Sequence, residues 1–263
     1  MKNFKEISSF DNSTYKSWKE LLSSKGIKKQ QKALIQGKII VHEYFKNFFN
    51  TDIEILFSKE HGFPANLSPN TKTFLLTPEL FNELNISGVD YPMLCVPIPE
   101  IKSFKDDFNF ETIEIKSLKN KNTHVFLPLG DPKNLGGAIR NCLAFGADSA
   151  ILLKESANPF HPLSIKASSG ACFYLKLFNG PETKDLNLTL KDQTLFVLDA
   201  SGTPAHEVKW PDTLFLLVGE EGQGPPENIK QNSHIISIPI SDKIESLNAN
   251  QALGIALYER FIR

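Results

Sequence analysis

Apolar positions along this chain recur at helical spacing in some stretches and as short continuous runs in others, and the mixture changes near its middle. In the first hundred residues the two alternate. Tyr15, Trp18, Leu21 and Leu22 fall at helical spacing, and Gly26 stands where that helix is expected to stop. A short apolar piece at 33–35, a helix over about 39–48 and a strand at 53–57 follow. Thr77 and Pro78 supply an N-cap and a first helical position ahead of Leu80, Phe81 and Leu84. Residues 93–96 read as a strand ending at Pro97 and Pro99. The sum is a small α/β unit. Residues 98–121 mix Pro, Lys, Asp and Asn without a period. The chain is therefore expected to divide into a domain over 1–105, a linker over 106–121 and a second domain over 122–263.

The second part is more regular. Strands are predicted at 123–129, 149–153, 195–199, 214–218 and 234–238, each rich in apolar residues rather than alternating. Such runs suit strands buried on both faces of a parallel sheet. Between the first two, Leu135, Ala138, Ile139, Cys142 and Leu143 share one helical face, and Gly146 can close that helix. A final helix is expected over about 247–261, with Ser246 as its N-cap.

Composition narrows the classes. An apolar share of 41% supports a real core, and no run approaches the ~20 apolar residues of a membrane span. The polar start at Met1, Lys2 and Asn3 lacks the apolar centre of a signal peptide. Cys95, Cys142 and Cys172 are odd in number and form no CxxC, which argues against a disulfide framework or a cysteine metal site. A cytoplasmic location is expected, with no metal. The net charge of −1 is not that of a basic nucleic-acid binder. Residues 1–50, however, hold ten lysines against Glu6, Asp11, Glu20 and Glu43. That local excess is either a solvated helical face or a surface for phosphates.

Three strand-to-loop junctions concentrate glycine and polar residues where a parallel sheet holds its ligand. The first runs over 130–140 and carries Asp131, Pro132, Asn134, Gly136 and Arg140; Asn134 alone would pass as a helix cap. The second, 218–227, holds Val218, Gly219, Glu220, Glu221, Gly222 and Gly224. It lacks the lysine and hydroxyl of a P-loop and the G-x-G-x-x-G spacing, and its two acids would repel a pyrophosphate. An acidic glycine loop suits a ligand without phosphate, such as S-adenosylmethionine. The third, 238–248, holds Ile238, Pro239, Ser246, Leu247 and Asn248. Arg140 stands out because the chain uses lysine almost everywhere; its only arginines are Arg140, Arg260 and Arg263. An arginine in such a chain suggests that the planar fork itself is needed.

In this order the three segments resemble the signature motifs of SpoU methyltransferases of the SPOUT superfamily. The first matches Asp-Pro-x-Asn-x-Gly-x-x-x-Arg at 131–140, followed by Ala144-Phe145-Gly146; the second matches Gly-x-Glu-Gly-x-Gly at 219–224; the third matches Ile238-Pro239 and then Ser246-Leu247-Asn248 before a helix. The likeness covers about 122–263, and the region upstream looks like the ribosomal-protein-like RNA-binding domain often fused to such enzymes. It implies an α/β fold whose C-terminal domain is a SPOUT trefoil knot with a mostly parallel sheet, preceded by that small α/β RNA-binding domain. It also implies a homodimer, S-adenosylmethionine as cofactor, and methyl transfer to a ribose 2′-hydroxyl of RNA, ribosomal ahead of transfer RNA, with no DNA or membrane partner. By position, Asn134, Arg140, Glu221, Ser246 and Asn248 would form the polar catalytic set. Leu198, Ala200, Val218, Gly219, Gly222, Gly224, Ile238, Pro239 and Leu247 would contact the cofactor. Glu220, Asp242 and Asn250 depart from the family pattern. Competing readings are an RNA-binding protein without turnover, a nicotinamide-dependent oxidoreductase, and a methyltransferase acting on a base nitrogen.

Overall fold

The computed structural model describes residues 4–48, 52–61, 71–108, 122–190, 193–219 and 224–263. The chain forms two compact units, one from residues 1–99 with 158–173, the other from 100–157 with 174–263.

The first unit contains β1 (Lys5–Ile7), α1 (Ser13–Glu20), α2 (Ser24–Gln30), β2 (Lys32–Ile35), α3 (Lys38–Asn47), β3 (Glu54–Phe57), β4 (Lys72–Leu76), α4 (Pro78–Leu84) and β5 (Met93–Pro97). Its sheet runs β1-β4-β3-β5-β2. β1, β4 and β3 are parallel, while β5 is antiparallel to both β3 and β2. Trp18 is buried against Phe74, and its Nε1 donates to Glu54 Oε2 at 2.7 Å. Gly26 does not stop a helix. It lies inside α2, where a Cβ would fall 2.0 Å from the Glu20 carbonyl oxygen, so close backbone approach is what demands glycine there. Thr77 does hold the N-cap position of α4, with Pro78 at the first turn, although its side chain makes no cap hydrogen bond.

The second unit contains β6 (Lys102–Ser103), α5 (Phe104–Asp107), β7 (Asn122–Leu127), α6 (Pro132–Ala144), β8 (Ser149–Leu152), β9 (Lys176–Asn179), α8 (Leu186–Leu190), β10 (Leu195–Pro204), β11 (Thr213–Leu217), α9 (Glu227–Lys230), β12 (Ser233–Ser237) and α10 (Ala249–Ile262). Its seven strands run β12-β10-β11-β7-β8-β9-β6, and every pairing is parallel. All six residues of β7 and all four of β8 are buried, as expected of strands covered on both faces, and in β7 this includes the polar Asn122, Thr123 and His124. Phe126, Ile151, Phe178, Val197, Phe215 and Leu217 lie at the centre of the core.

The expected division of the chain needs correction at two places. β6 belongs to the second sheet and the fully buried Phe104 to its core, so the second unit begins near residue 100. Most of the expected linker, 109–121, lies outside the described residues. Residues 158–173, expected within the second domain, belong to the first unit. Their helix α7 (Pro162–Ser168) buries Ile165, His161 Nε2 donates to the Leu22 carbonyl, and Phe173 meets Tyr44 edge-on at 5.1 Å. Among the described residues no helix is long and apolar enough to cross a membrane.

His124, on β7, illustrates the polarity of this core. Its ring stacks on Phe215 at 5.2 Å and its Nδ1 pairs with Ser149 Oγ at 2.8 Å. Burial, helped by the charges of Lys176 and Arg260, pulls the imidazole down to about 4 from 6.5. The unfolded chain therefore takes up a proton near pH 6.5 that the folded chain refuses until about pH 4. Stability should be whole above pH 6.5 and fall as the pH drops through that interval, by about 3 kcal/mol in all. Urea unfolding at a series of pH values measures this loss, and His124→Leu should lack it.

Candidate functional site

The loops that leave the carboxyl ends of β7, β10, β11 and β12 meet around one cavity of about 830 Å³. This is the crevice in which open parallel sheets hold ligands. β10 contributes by breaking its own register. It pairs with β12 through Leu198 and resumes only at Thr203, and within that break Asp199 and Ala200 line the opening. Leu198, Val218, Ile238 and Leu247 make the walls apolar, and Pro204, Pro225 and Pro239 stiffen the rim. Asn134, Ser237, Ser246 and Asn248 supply neutral polar groups, and Asp199 and Glu245 supply the charge. The described lining contains no lysine or arginine.

Asn134 sits at the centre of the polar side. Asp131, not Asn134, caps α6: its carboxylate accepts from the N–H groups of Lys133 and Asn134, both at 2.9 Å. The side chain of Asn134 is thereby left to reach across to α10. Its Oδ1 accepts from Asn248 Nδ2 at 3.0 Å and from Asn250 Nδ2 at 3.3 Å. Asn248, rather than Ser246, is the N-cap of α10, because its Oδ1 accepts from the N–H of Asn250.

Asp199 carries the other polar feature. Its Oδ2 pairs with Lys230 Nζ at 2.6 Å and its Oδ1 accepts from the N–H and hydroxyl of Ser201, each at 3.0 Å. Burial alone would raise this carboxyl; Lys230 and Ser201 outweigh it and hold the group below the usual carboxylate range. Gly224, at φ +67°, has no Cβ to crowd this pair, which lies within 4 Å of where one would be. Gly219 is as constrained, since a Cβ there would lie 3.1 Å from the Leu198 carbonyl oxygen.

Of the residues singled out from sequence, Asn134, Ser246 and Asn248 line the cavity, as do Leu198, Ala200, Val218, Gly219, Gly224, Ile238, Pro239 and Leu247. Glu221 and Gly222, with Glu220, lie outside the described residues. Arg140 is not brought to the cavity. It is exposed on α6, six residues beyond Asn134 and so on a different face of the helix. Sequence reasoning passed over Asp199, although an acid ending the apolar run Leu195 to Leu198 was a visible signal. It also treated Asn250 as a mere departure, when the Asn-x-Asn spacing at 248–250 placed two amides in one helical turn.

An apolar crevice at the carboxyl ends of an all-parallel sheet is the place where α/β domains of this class hold their ligands. The sequence profile of the SpoU rRNA Methylase family matches residues 123–258, just over half of the chain, and the chain belongs to that family. Over 97% of its length it is 36% identical to Ribosomal RNA small subunit methyltransferase G 2 of Syntrophobacter fumaroxidans; it spans about half (49%) of that longer relative. It is 25% identical to the 23S rRNA (guanosine(2553)-2′-O)-methyltransferase RlmP of Bacillus subtilis, over 97% of this chain and 98% of that one. Among solved structures, the SpoU methyltransferase AviRb from Streptomyces viridochromogenes in complex with AdoMet aligns with a TM-score of 0.76, covering 95% of this chain and 97% of that one at 19% identity. The AdoMet-bound rRNA methyltransferase from Sinorhizobium meliloti gives 0.75, covering 97% of each at 17% identity. At these identities the likeness is one of fold. The α/β class and the parallel second sheet are shared with these methyltransferases.

Proposed function

We propose that this chain transfers a methyl group from S-adenosylmethionine to a ribose 2′-hydroxyl of RNA, ribosomal RNA being the preferred substrate. One observation carries the reading: family motifs 114 residues apart are joined by the Asn134–Asn248 hydrogen bond beside an apolar cavity whose described lining holds no lysine or arginine. The residues present fit the cofactor. About 830 Å³ lies in the range of pockets for ligands of this size. Leucine, valine and isoleucine walls suit an adenine ring, Gly219 leaves backbone accessible, and Glu245 suits a sulfonium cation, the charge of Asp199 being already paired with Lys230. When bound, S-adenosylmethionine supplies an electrophilic methyl group.

The chain's own residues then align and exclude. Asn134, Ser246 and Asn248 orient the reacting groups, Arg140 grips a phosphate of the RNA and stabilises the developing alkoxide, and Glu221 or that phosphate takes the hydroxyl proton. A guanidinium is not itself a base at neutral pH. Exposed Lys25, Lys28, Lys38 and Lys46 in the first unit offer phosphate contacts that carry no base sequence. Leu143, Ile255, Tyr258, Phe261 and Ile262 are 39–50% exposed on α6 and α10. This exposed apolar surface supports a homodimer in which a second copy would cover it and bring Arg140 to a shared site.

The test has two stages. Calorimetry should detect S-adenosylmethionine binding, and tritium from its methyl group should enter ribosomal RNA. The labelled linkage should then resist alkali, because a methylated 2′-oxygen cannot attack its neighbouring phosphate. Label in an alkali-sensitive position would move the reaction to a base, and binding without label would reduce the chain to an RNA-binding protein.

A further inference from the structure

β10 leaves its ladder where it borders the cavity. Its register with β11 ends at Val197, and its register with β12 jumps from Leu198 to Thr203. Leu198, Asp199 and Ala200 line the cavity all the same. Side chains fasten this stretch in place of the ladder. At one end Ser237 Oγ donates to the Gly202 carbonyl oxygen at 2.9 Å. At the other the Asp199 side chain, only 11% exposed, meets Lys230 Nζ at 2.6 Å.

Lys230 is a fixed post. It ends α9, whose neighbouring Ile229 is fully buried in the core of the second unit. Lys230 itself does not belong to the described lining. Asp199, for its part, has little left for a ligand. Its Oδ1 accepts from the N–H and the hydroxyl of Ser201, and its Oδ2 accepts from Lys230. Three of its roughly four acceptor positions are thus filled within the chain. The pair also backs a second part of the lining. A Cβ on Gly224, which lines the cavity, would lie 3.5 Å from Asp199 Oδ2 and 3.8 Å from Lys230 Nζ.

We propose that the Asp199–Lys230 ion pair is a positioning clasp for the cofactor: it ties the unladdered stretch of β10 to α9 and so keeps the cavity in its binding shape. This rests on the reading of the cavity as the S-adenosylmethionine site. Without the clasp the stretch samples other positions, and only the fraction of molecules with it in place can bind. Apparent affinity falls by that fraction whatever the ligand, because the cost lies in the protein and not in a contact. Once the cavity is filled the same complex is reached, so the reaction within it keeps its rate.

Replacing both partners, Asp199→Asn with Lys230→Met, removes the clasp without stranding a charge or changing the net charge. Calorimetry then compares three ligands. S-adenosylhomocysteine lacks the sulfonium charge of S-adenosylmethionine, and 5′-methylthioadenosine lacks the amino-acid head group as well. All three dissociation constants should rise by one common factor, at least about fivefold if no more than about one molecule in five keeps the stretch in place. In Lys230→Met alone, KM for S-adenosylmethionine should rise while kcat at saturation stays within threefold of wild type. Factors that differ more than threefold among the ligands would mean that the pair touches the ligand, and would overturn the clasp. A common rise below fivefold in the folded double variant overturns it equally. Should the double variant melt early, Lys230→Met must show the common factor for the two ligands without a sulfonium, and a smaller rise there sinks the proposal. If wild type binds none of the three, the reading of the cavity fails and the inference falls with it.

Discussion

Replacing Arg140 with alanine is expected to lower turnover by about 10²–10³ while leaving the affinity for S-adenosylmethionine within twofold and the melting temperature unchanged. The expectation is severe for an exposed residue, since surface substitutions normally change stability by less than about 0.5 kcal/mol. It rests on chemistry rather than packing. The guanidinium contributes nothing to the described cavity of its own chain, so cofactor binding has no reason to change. A chain that otherwise relies on lysine keeps a planar fork here, matched to a phosphate and to a developing alkoxide. Arg140→Lys should therefore recover little. Single-turnover methylation and calorimetry separate the two effects, and near wild-type turnover in the alanine variant would remove Arg140 from the reaction. Mixing inactive Arg140→Ala chains with inactive Asn134→Ala chains tests the shared site directly. If the arginine serves the opposite copy, one site in each mixed dimer is intact, and about a quarter of the activity returns at statistical mixing; if it serves its own chain, none returns.

Arg260→Ala should cost about 3–5 kcal/mol of stability, a fall of about 10 °C or more in melting temperature. Arg260 lies on α10 and is only 4% exposed. Its Nε donates to Thr123 Oγ1 at 2.8 Å, and its terminal nitrogens donate to the carbonyl oxygens of Pro211, Asn122 and Asp212 at 2.7, 2.7 and 3.0 Å. Truncation strands these acceptors in the interior and opens a cavity, and it leaves Asp148 and Asp212 without their cation. Burial pulls the guanidinium down to about 10 against the pull of those two acids, so the charge is present throughout the physiological range. Arg260→Lys should recover only part of the loss, because one ammonium cannot span four acceptors in a plane. Thermal unfolding followed by circular dichroism measures both; a wild-type melting temperature for the alanine variant would refute the assignment.

Much of the second unit was legible because most of its strands are rich in apolar residues rather than alternating. Those predicted at 149–153, 195–199, 214–218 and 234–238 appear as β8, β10, β11 and β12 within a residue or a few. β9 and β6 were missed since four and two residues carry too little pattern to stand out. Leu143 was placed on one helical face with Leu135, Ala138, Ile139 and Cys142, yet they are buried and it is 39% exposed, a difference that periodicity alone does not foresee. The cavity was legible through three motifs, and most of the residues named do line it. What the sequence concealed is the connection among them. Asp131 caps α6 within its own first turn, but that two amides of α10 converge on the oxygen of Asn134 depends on a packing between positions more than 110 residues apart. Arg260 illustrates the same limit. The scarcity of arginine pointed to it as much as to Arg140, yet only the fold separates an arginine that holds carbonyls from one that faces solvent.

The excursion of residues 158–173 into the first unit bears on how this chain is made. A ribosome that has released the first hundred residues has not released α7, whose side chains complete the packing around β2. By the time that helix emerges, β7, α6 and β8 of the other sheet have already left the tunnel. The amino-terminal unit thus cannot finish folding first, as a chain built of sequential modules would allow. Its completion and the early assembly of the second sheet are interleaved in time.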